Sequence, residues 1–228
     1  FGDIIMIKVA IIDDGVCVDK IKQQDINLFR INKQGLIMRT KNYPKTLTHG
    51  TLCAAIISEM TRYYHEINSI KVKVKNKNGK IEALISAIDY CVANNIDVIN
   101  LSMGSTSLDD EISLREATKQ AYNAGIIVVA AHSNENKKTY PASFEQVIGV
   151  RHSEKARNGI YHRKGDLNSD FCTYAKVPLT LKRKVITAQP ANSFATSVMT
   201  AVVADLLFEK KYSFDELLVE LHGLCINK

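Results

Sequence analysis

Val9-Ala10-Ile11-Ile12-Asp13-Asp14-Gly15 decides the fold. The run from Ile4 to Ile12 is nearly unbroken Ile, Met, Val and Ala, so both sides of the pleat carry apolar side chains. Such a strand is buried on both faces, and sheets buried on both faces are mostly parallel with helices over them. The run stops at Asp13. A carboxylate at the carboxyl end of a buried strand stands where α/β proteins place functional groups. The plainer alternative is an Asx turn at Asp13-Asp14-Gly15.

Outward from that strand the pattern repeats. Ile26 to Ile31 reads as a second strand and Asn32 to Pro44 as loop. Thr48-His49-Gly50-Thr51-Leu52-Cys53-Ala54-Ala55-Ile56-Ile57 opens a helix on small residues. Ile70-Lys71-Val72-Lys73-Val74 alternates as a strand does, and Ile81, Leu84, Ile85, Ile88 and Val92 form a helical stripe over Ile81 to Asn94. Ile96 to Leu101 is a buried strand ending in Ser102-Met103-Gly104. Leu114 to Asn123 is a helix closed by Gly125. Ile126 to Ala131 is a strand ending in His132-Ser133-Asn134, and Val147 to Val150 is a short one. Residues 151 to 190 are less regular, with extended pieces at Ile160-Tyr161-His162 and Phe171-Cys172-Thr173-Tyr174. Ala191-Asn192-Ser193-Phe194-Ala195-Thr196-Ser197 begins a buried helix that runs on to Leu207. Ser213 and Glu216 form a capping box ahead of the last helix, Phe214 to Leu224. Strands alternating with helices predict an α/β fold: a mostly parallel central sheet with helices on both faces, in one domain over residues 1–228.

Composition narrows the function. No apolar run is long enough to span a membrane, and no Gly-rich phosphate loop follows a strand, which argues against a membrane partner and a nucleotide site. The net charge of +6 is modest, and its densest cluster is Lys71, Lys73, Lys75, Lys77 and Lys80. No aromatics interleave with it, so it reads as a solvated face rather than a nucleic-acid surface. The five cysteines are scattered through apolar runs without a CxxC pair, as reduced core thiols are. They favour a reducing, cytoplasmic setting, or a secreted one if a leader was removed before Phe1.

Three polar residues stand at element ends: Asp13 after the first strand, His49 at the start of a helix, and Ser193 at the start of a late buried helix. A helix N-terminus favours developing negative charge, which suits a nucleophilic serine. The same dipole is expected to lower the pKa of His49 and keep it a neutral base. Each alone has a structural reading, Ser193 as an N-cap and His49 as a packed histidine. The order Asp…His…Ser is that of subtilisin.

With these residues in view, the chain resembles the subtilisin-like serine proteases. Val9 to Gly15 looks like their aspartate motif, His49 to Ala54 like their histidine motif, and Asn192-Ser193-Phe194-Ala195 like their serine motif. Val128 to Asn134 is similar to the strand that carries their oxyanion asparagine, and Ile99 to Gly104 to their substrate-binding strand. The resemblance runs from about residue 8 to 208. It implies Ser193 as nucleophile, His49 as base, Asp13 as the orienting carboxylate and Asn134 as oxyanion donor. It also implies that Ser102, Met103 and Gly104 pair with an extended peptide, and that Ala131, His132 and Ser133 help to wall the pocket before the cut. No cofactor or catalytic metal is implied, with structural calcium left open. The compact form resembles subtilases that trim precursor peptides; a pseudoprotease that only binds peptides is the alternative. The sequence departs from the family at Ala191, Asn192 and Ser197, where Gly, Thr and Pro are usual, and at His132-Ser133, where Ala-Gly is usual. A methyl at Ala191 would strain a turn of positive φ, and the altered step leaves Asn136 as the alternative to Asn134. The loop from Asn134 to Tyr140 is short for the family, so one pocket wall should be reduced.

Overall fold

Nine strands of the computed structural model join in one sheet, in the order β3-β2-β4-β1-β5-β6-β7-β9-β8. They are β1 (Ile7–Asp13), β2 (Ile26–Ile31), β3 (Ile37–Arg39), β4 (His65–Lys71), β5 (Val98–Leu101), β6 (Ile127–Ala131), β7 (Ile148–His152), β8 (Tyr161–His162) and β9 (Asp170–Thr173). The structure describes residues 6–226 apart from 23, 24, 33, 73–76, 136, 164–169 and 183, and only the backbone of 77–79. Ile4, Ile5, Lys73, Val74, Lys75 and Asn136 therefore lie outside the described residues. Within the sheet the pairs are parallel except the two edges, β2–β3 and β8–β9.

The apolar run of β1 is explained by what covers it. Val9 and Ile11 pack on one face, beneath α1 (His49–Met60), α4 (Asn192–Glu209) and α5 (Phe214–Gly223). Ala10 and Ile12 pack on the other, beneath α2 (Lys77–Ala93) and α3 (Glu111–Asn123). Because neighbours in sequence point to opposite faces, a strand covered twice must be apolar at every position. The same logic applies to α4, in which thirteen of eighteen residues are buried, so it carries no polar face to solvent. The topology then makes a crevice. From β1 the chain goes first to β2 and β4 on one side, and α2 carries it across to β5 on the other. Loops leaving in opposite directions open the sheet's carboxyl edge beside Asp13.

Three segments differ from the sequence expectation. The Asn32–Pro44 loop contains β3, a three-residue, half-exposed edge strand. Asn32 Oδ1 builds its turn by accepting from the Gln34 and Leu36 amides, each at 2.9 Å. The strand expected over Ile70–Val74 begins at His65, because β4 buries His65, Asn68 and Ser69, and polar residues leave no apolar pattern to read. The irregular 151–190 stretch holds, besides β8 and β9, a separate hairpin of β10 (Pro178–Leu181) and β11 (Lys184–Thr187). The five cysteines are free and buried, as expected.

Candidate active site

Three elements far apart in sequence bring Asp13, His49 and Ser193 into one line. Asp13 ends β1, His49 is the first residue of α1, and Ser193 lies in the first turn of α4. His49 Nδ1 lies 2.8 Å from Asp13 Oδ2, and His49 Nε2 lies 2.9 Å from Ser193 Oγ. The order carboxylate–imidazole–hydroxyl is that of a base oriented on one side and facing a nucleophile on the other. Asp13 is 5% exposed. The imidazole stacks on Phe194, with ring centroids 4.9 Å apart and planes 19° from parallel.

The start of α1 is held by direct contacts with the end of β1. Asp14 takes no part in the line: its Oδ1 accepts from the Gly50 amide at 2.8 Å and its Oδ2 from the His49 amide at 3.3 Å. A carboxylate there satisfies helix donors that have no intrahelical partner. Burial raises the Asp14 pKa, although those amide bonds work against the shift. Thr48 caps the helix by accepting from the Thr51 amide at 3.2 Å, and its hydroxyl donates to the Gly15 carbonyl at 2.6 Å. Gly50 is required here: a Cβ would sit 2.9 Å from the Gly15 carbonyl oxygen.

The expected lowering of the His49 pKa does not hold. Burial of the ring disfavours the imidazolium, but the bond to Asp13, with Cys53 and the charge of Asp13 adding to it, pushes the pKa up to about 11. The carboxylate outweighs the helix dipole because it is in direct contact. Cys53 Sγ lies 3.7 Å from His49 Nδ1, 3.9 Å from Asp13 Oδ2 and 3.4 Å from Ser102 Oγ. Among the described residues, Asp13, His49 and Cys53 are the one group of three whose ligand atoms, within 4.8 Å of one another, could hold a metal ion. Two of those atoms are already spent on each other in the 2.8 Å bond.

On the other side of Ser193 lies a cleft of about 380 Å³. Ser102, Met103, Gly104, Ala131, His132, Ser133 and Asn134 all line it with Ser193, so the structure gathers every residue expected at the pocket. Asn134 Oδ1 accepts from the Asn192 amide at 3.2 Å. An amide that accepts through Oδ1 presents its Nδ2 donors at the opposite corner. Asn136, the alternative, lies outside the described residues. His132 sits in the wall, but its ring is buried and bonds Asp170 Oδ1 at 2.6 Å. That bond passes over Gly149, where a Cβ would lie 2.6 Å from His132 Nε2.

Asn192 was legible only as a departure, yet it ties this side together. Its Nδ2 donates to the His132 carbonyl at 3.0 Å and the Ser133 carbonyl at 3.1 Å, and its Oδ1 accepts from the His152 amide at 2.8 Å. Ala191 has φ −154° and ψ 151°, extended backbone in which a methyl group meets no strain. Ser197, in place of the usual Pro, donates to the Ser193 carbonyl at 3.3 Å. Phe194 and Cys53 were missed as site residues because apolar residues in a buried helix read as core. Their proximity to the imidazole is a fact of packing alone.

Residues 6–213 match the family described as the subtilase family of peptidases. The minor extracellular protease Epr of Bacillus subtilis is 30% identical over 172 residues, which is 70% of this chain and 25% of that protein. Subtilisin DY of Bacillus licheniformis is 35% identical over 96 residues, 40% of this chain and 34% of that protein. The match thus spans a quarter to a third of the length of these two relatives. A solved structure, "S41 Psychrophilic Protease", superposes with a TM-score of 0.69 at 19% identity, covering 95% of this chain and 82% of that one. A second, "Structure of Prenylagaramide maturation protease PagA", gives 0.63 at 19%, covering 88% and 75%. At that identity the two structures speak for the fold, a mostly parallel sheet between helix layers as the sequence predicts.

Proposed function

The chain belongs to the subtilase family, and from that premise we propose that it is a serine endopeptidase whose nucleophile is Ser193. The observation that carries the reading is the pair of bonds at His49, 2.8 Å to Asp13 and 2.9 Å to Ser193. In the proposed mechanism Ser193 Oγ attacks the scissile carbonyl as His49 Nε2 takes its proton. Asp13 holds the Nδ1–H tautomer and stabilises the imidazolium. The carbonyl oxygen, now charged, receives hydrogen bonds from Asn134 Nδ2 and the Ser193 amide, whose N–H stands in the first turn of α4 without an intrahelical acceptor. His49 returns the proton to the leaving amine, and water then hydrolyses the acyl-enzyme by the same route reversed.

The substrate in this reading is an extended peptide added as a strand along Ser102-Met103-Gly104. Its residue before the cut enters the cleft beside Ala131, His132 and Ser133. We place the enzyme on a specific precursor peptide, in a reducing, cytoplasmic setting that suits five buried thiols. The extended backbone at Ala191 supports this reading, since the methyl group there brings no strain to the turn before Ser193. A fluorophosphonate probe tests the assignment. It should label the wild type and leave Ser193→Ala unlabelled, and peptide turnover should disappear with the label. Undiminished turnover in Ser193→Ala overturns the nucleophile. Mass spectrometry of a digested peptide library then gives the preferred cut.

A further inference from the structure

The substrate strand has one bare point, and a lysine reaches over it. Gly104 carries no side chain, and a Cβ there would collide with the Tyr140 carbonyl. That approach is fixed by two bonds between Ser105 and Tyr140, 2.8 and 2.7 Å long. Lys80, near the start of α2, donates from Nζ to the Gly104 carbonyl at 3.3 Å. It lines two adjoining hollows: the 380 Å³ cleft that holds Ser193, and one of about 200 Å³ formed with Ile81, Gly104 to Ser107 and Asp110.

An ammonium has three donors, and one long bond to a carbonyl uses one of them. Among the described residues no carboxylate lies within 4.0 Å of Lys80 Nζ. The two acids that line these hollows are engaged elsewhere. Glu135 pairs with Lys137 at 2.7 Å, and Asp110 accepts from the Ser105 hydroxyl. Lys80 is thus a half-buried cation facing the path of the substrate, with no acid among the described residues against it. Ser102 marks the catalytic end of that path, since its hydroxyl touches Cys53 beneath His49. Gly104 is two residues further on, about 6.6 Å at the rise of a strand.

We propose that Lys80 makes this cleft selective for peptides with aspartate or glutamate two to four residues before the cut. The inference rests on the proposed peptidase function. A carboxylate from the substrate takes the donors that Gly104 does not use, in a groove where water is partly excluded. Charge-assisted hydrogen bonds of this kind are roughly twice as strong as neutral ones.

The test uses matched peptides carrying Glu, Gln or Lys at each of those positions, with kcat/KM measured for each. Wild type should favour Glu over Gln by about 10-fold at one position, and the ratio should shrink as salt rises. Lys80→Glu should reverse the order of the Glu and Lys peptides, and Lys80→Gln should flatten it. Ratios within one variant are independent of how much of it folds. Cleavage of all peptides with no charge preference, or a preference unchanged in Lys80→Glu, overturns this inference alone. Cleavage of none overturns the peptidase reading and this inference with it.

Discussion

Asp13 and His49 are held by their immediate neighbours, whereas Asn134 is held through another residue. On the first side the end of β1 caps the start of α1 directly, through Asp14, Thr48 and Gly50. On the second side, Asn192 bonds to His132, Ser133, Asn134 and His152 at once. His132 is braced in turn against Asp170. The first side depends on short, redundant contacts. The second depends on one hub next to the nucleophile. The residues at which the resemblance falters, His132, Ser133 and Asn192, stand on the second side.

The comparison can be broken by substitution. Asp13→Asn should cost about 10⁴ in kcat, because the imidazole then favours the wrong tautomer. Asp14→Asn, in contrast, should stay within a few-fold in kcat and lower stability by about 1 kcal/mol as a weakened cap. Circular dichroism melts and steady-state kinetics on the pair check this. The reverse result would exchange the two aspartates. Asn134→Ala should lower kcat by about 10² to 10³ with KM nearly unchanged, a size carried over from subtilisin rather than derived from this geometry. Loss of stability without loss of kcat would reduce Asn134 to a turn residue.

Asn192→Ala keeps the backbone N–H bonded to Asn134 but frees the His132 and Ser133 carbonyls ahead of it, so it should cost less, roughly 10-fold to 10² in kcat, by shifting the donor rather than removing it. It also leaves the His152 amide without its acceptor, so the melting point should fall with it. If Asn192→Ala and Asn134→Ala add fully in the double variant, the hub is not acting through Asn134.

The smallest effect, and the sharpest separation of the two sides, is in pH. His49 works as a base only when neutral, and Asp13 raises its pKa toward about 11. The rate of wild type should therefore climb with pH, with its half-rise above the ordinary histidine value of about 6.5. Asn134→Ala should leave that midpoint alone, and Asp13→Asn should bring it down. Stability runs the other way. A raised folded-state pKa stabilises the protein below about pH 6.5, and that contribution is lost as pH rises toward the folded value. A midpoint at or below 6.5 in wild type would show that Asp13 does not govern the titration.

The strand-end and helix-start residues were legible before any coordinates. Asp13 ends an apolar run and His49 and Ser193 stand just ahead of one, and a polar residue at such a boundary is conspicuous. The six residues of the cleft wall were legible as the ends of buried strands, but their place at a pocket came from the family resemblance. Phe194 and Cys53 were not legible, because an apolar residue against an imidazole leaves the same trace as one against a leucine. Lys80 was read as part of a solvated cluster, since sequence spacing does not say what lies across a loop.

By itself the sequence determined the layers, the order of the chemical groups and the ends on which they stand, because burial on both faces and helix capping are local demands on residue type. It left β3, the full length of β4 and the β10–β11 hairpin unmarked, where half-exposed or polar residues form strands through partners distant in the chain. Only the tertiary structure decided which aspartate meets His49, that Ala191 is extended, and that the His49 pKa is raised. Those outcomes depend on distances of about 3 Å between residues up to 144 apart in sequence, where one direct contact outweighs the local preference of either partner.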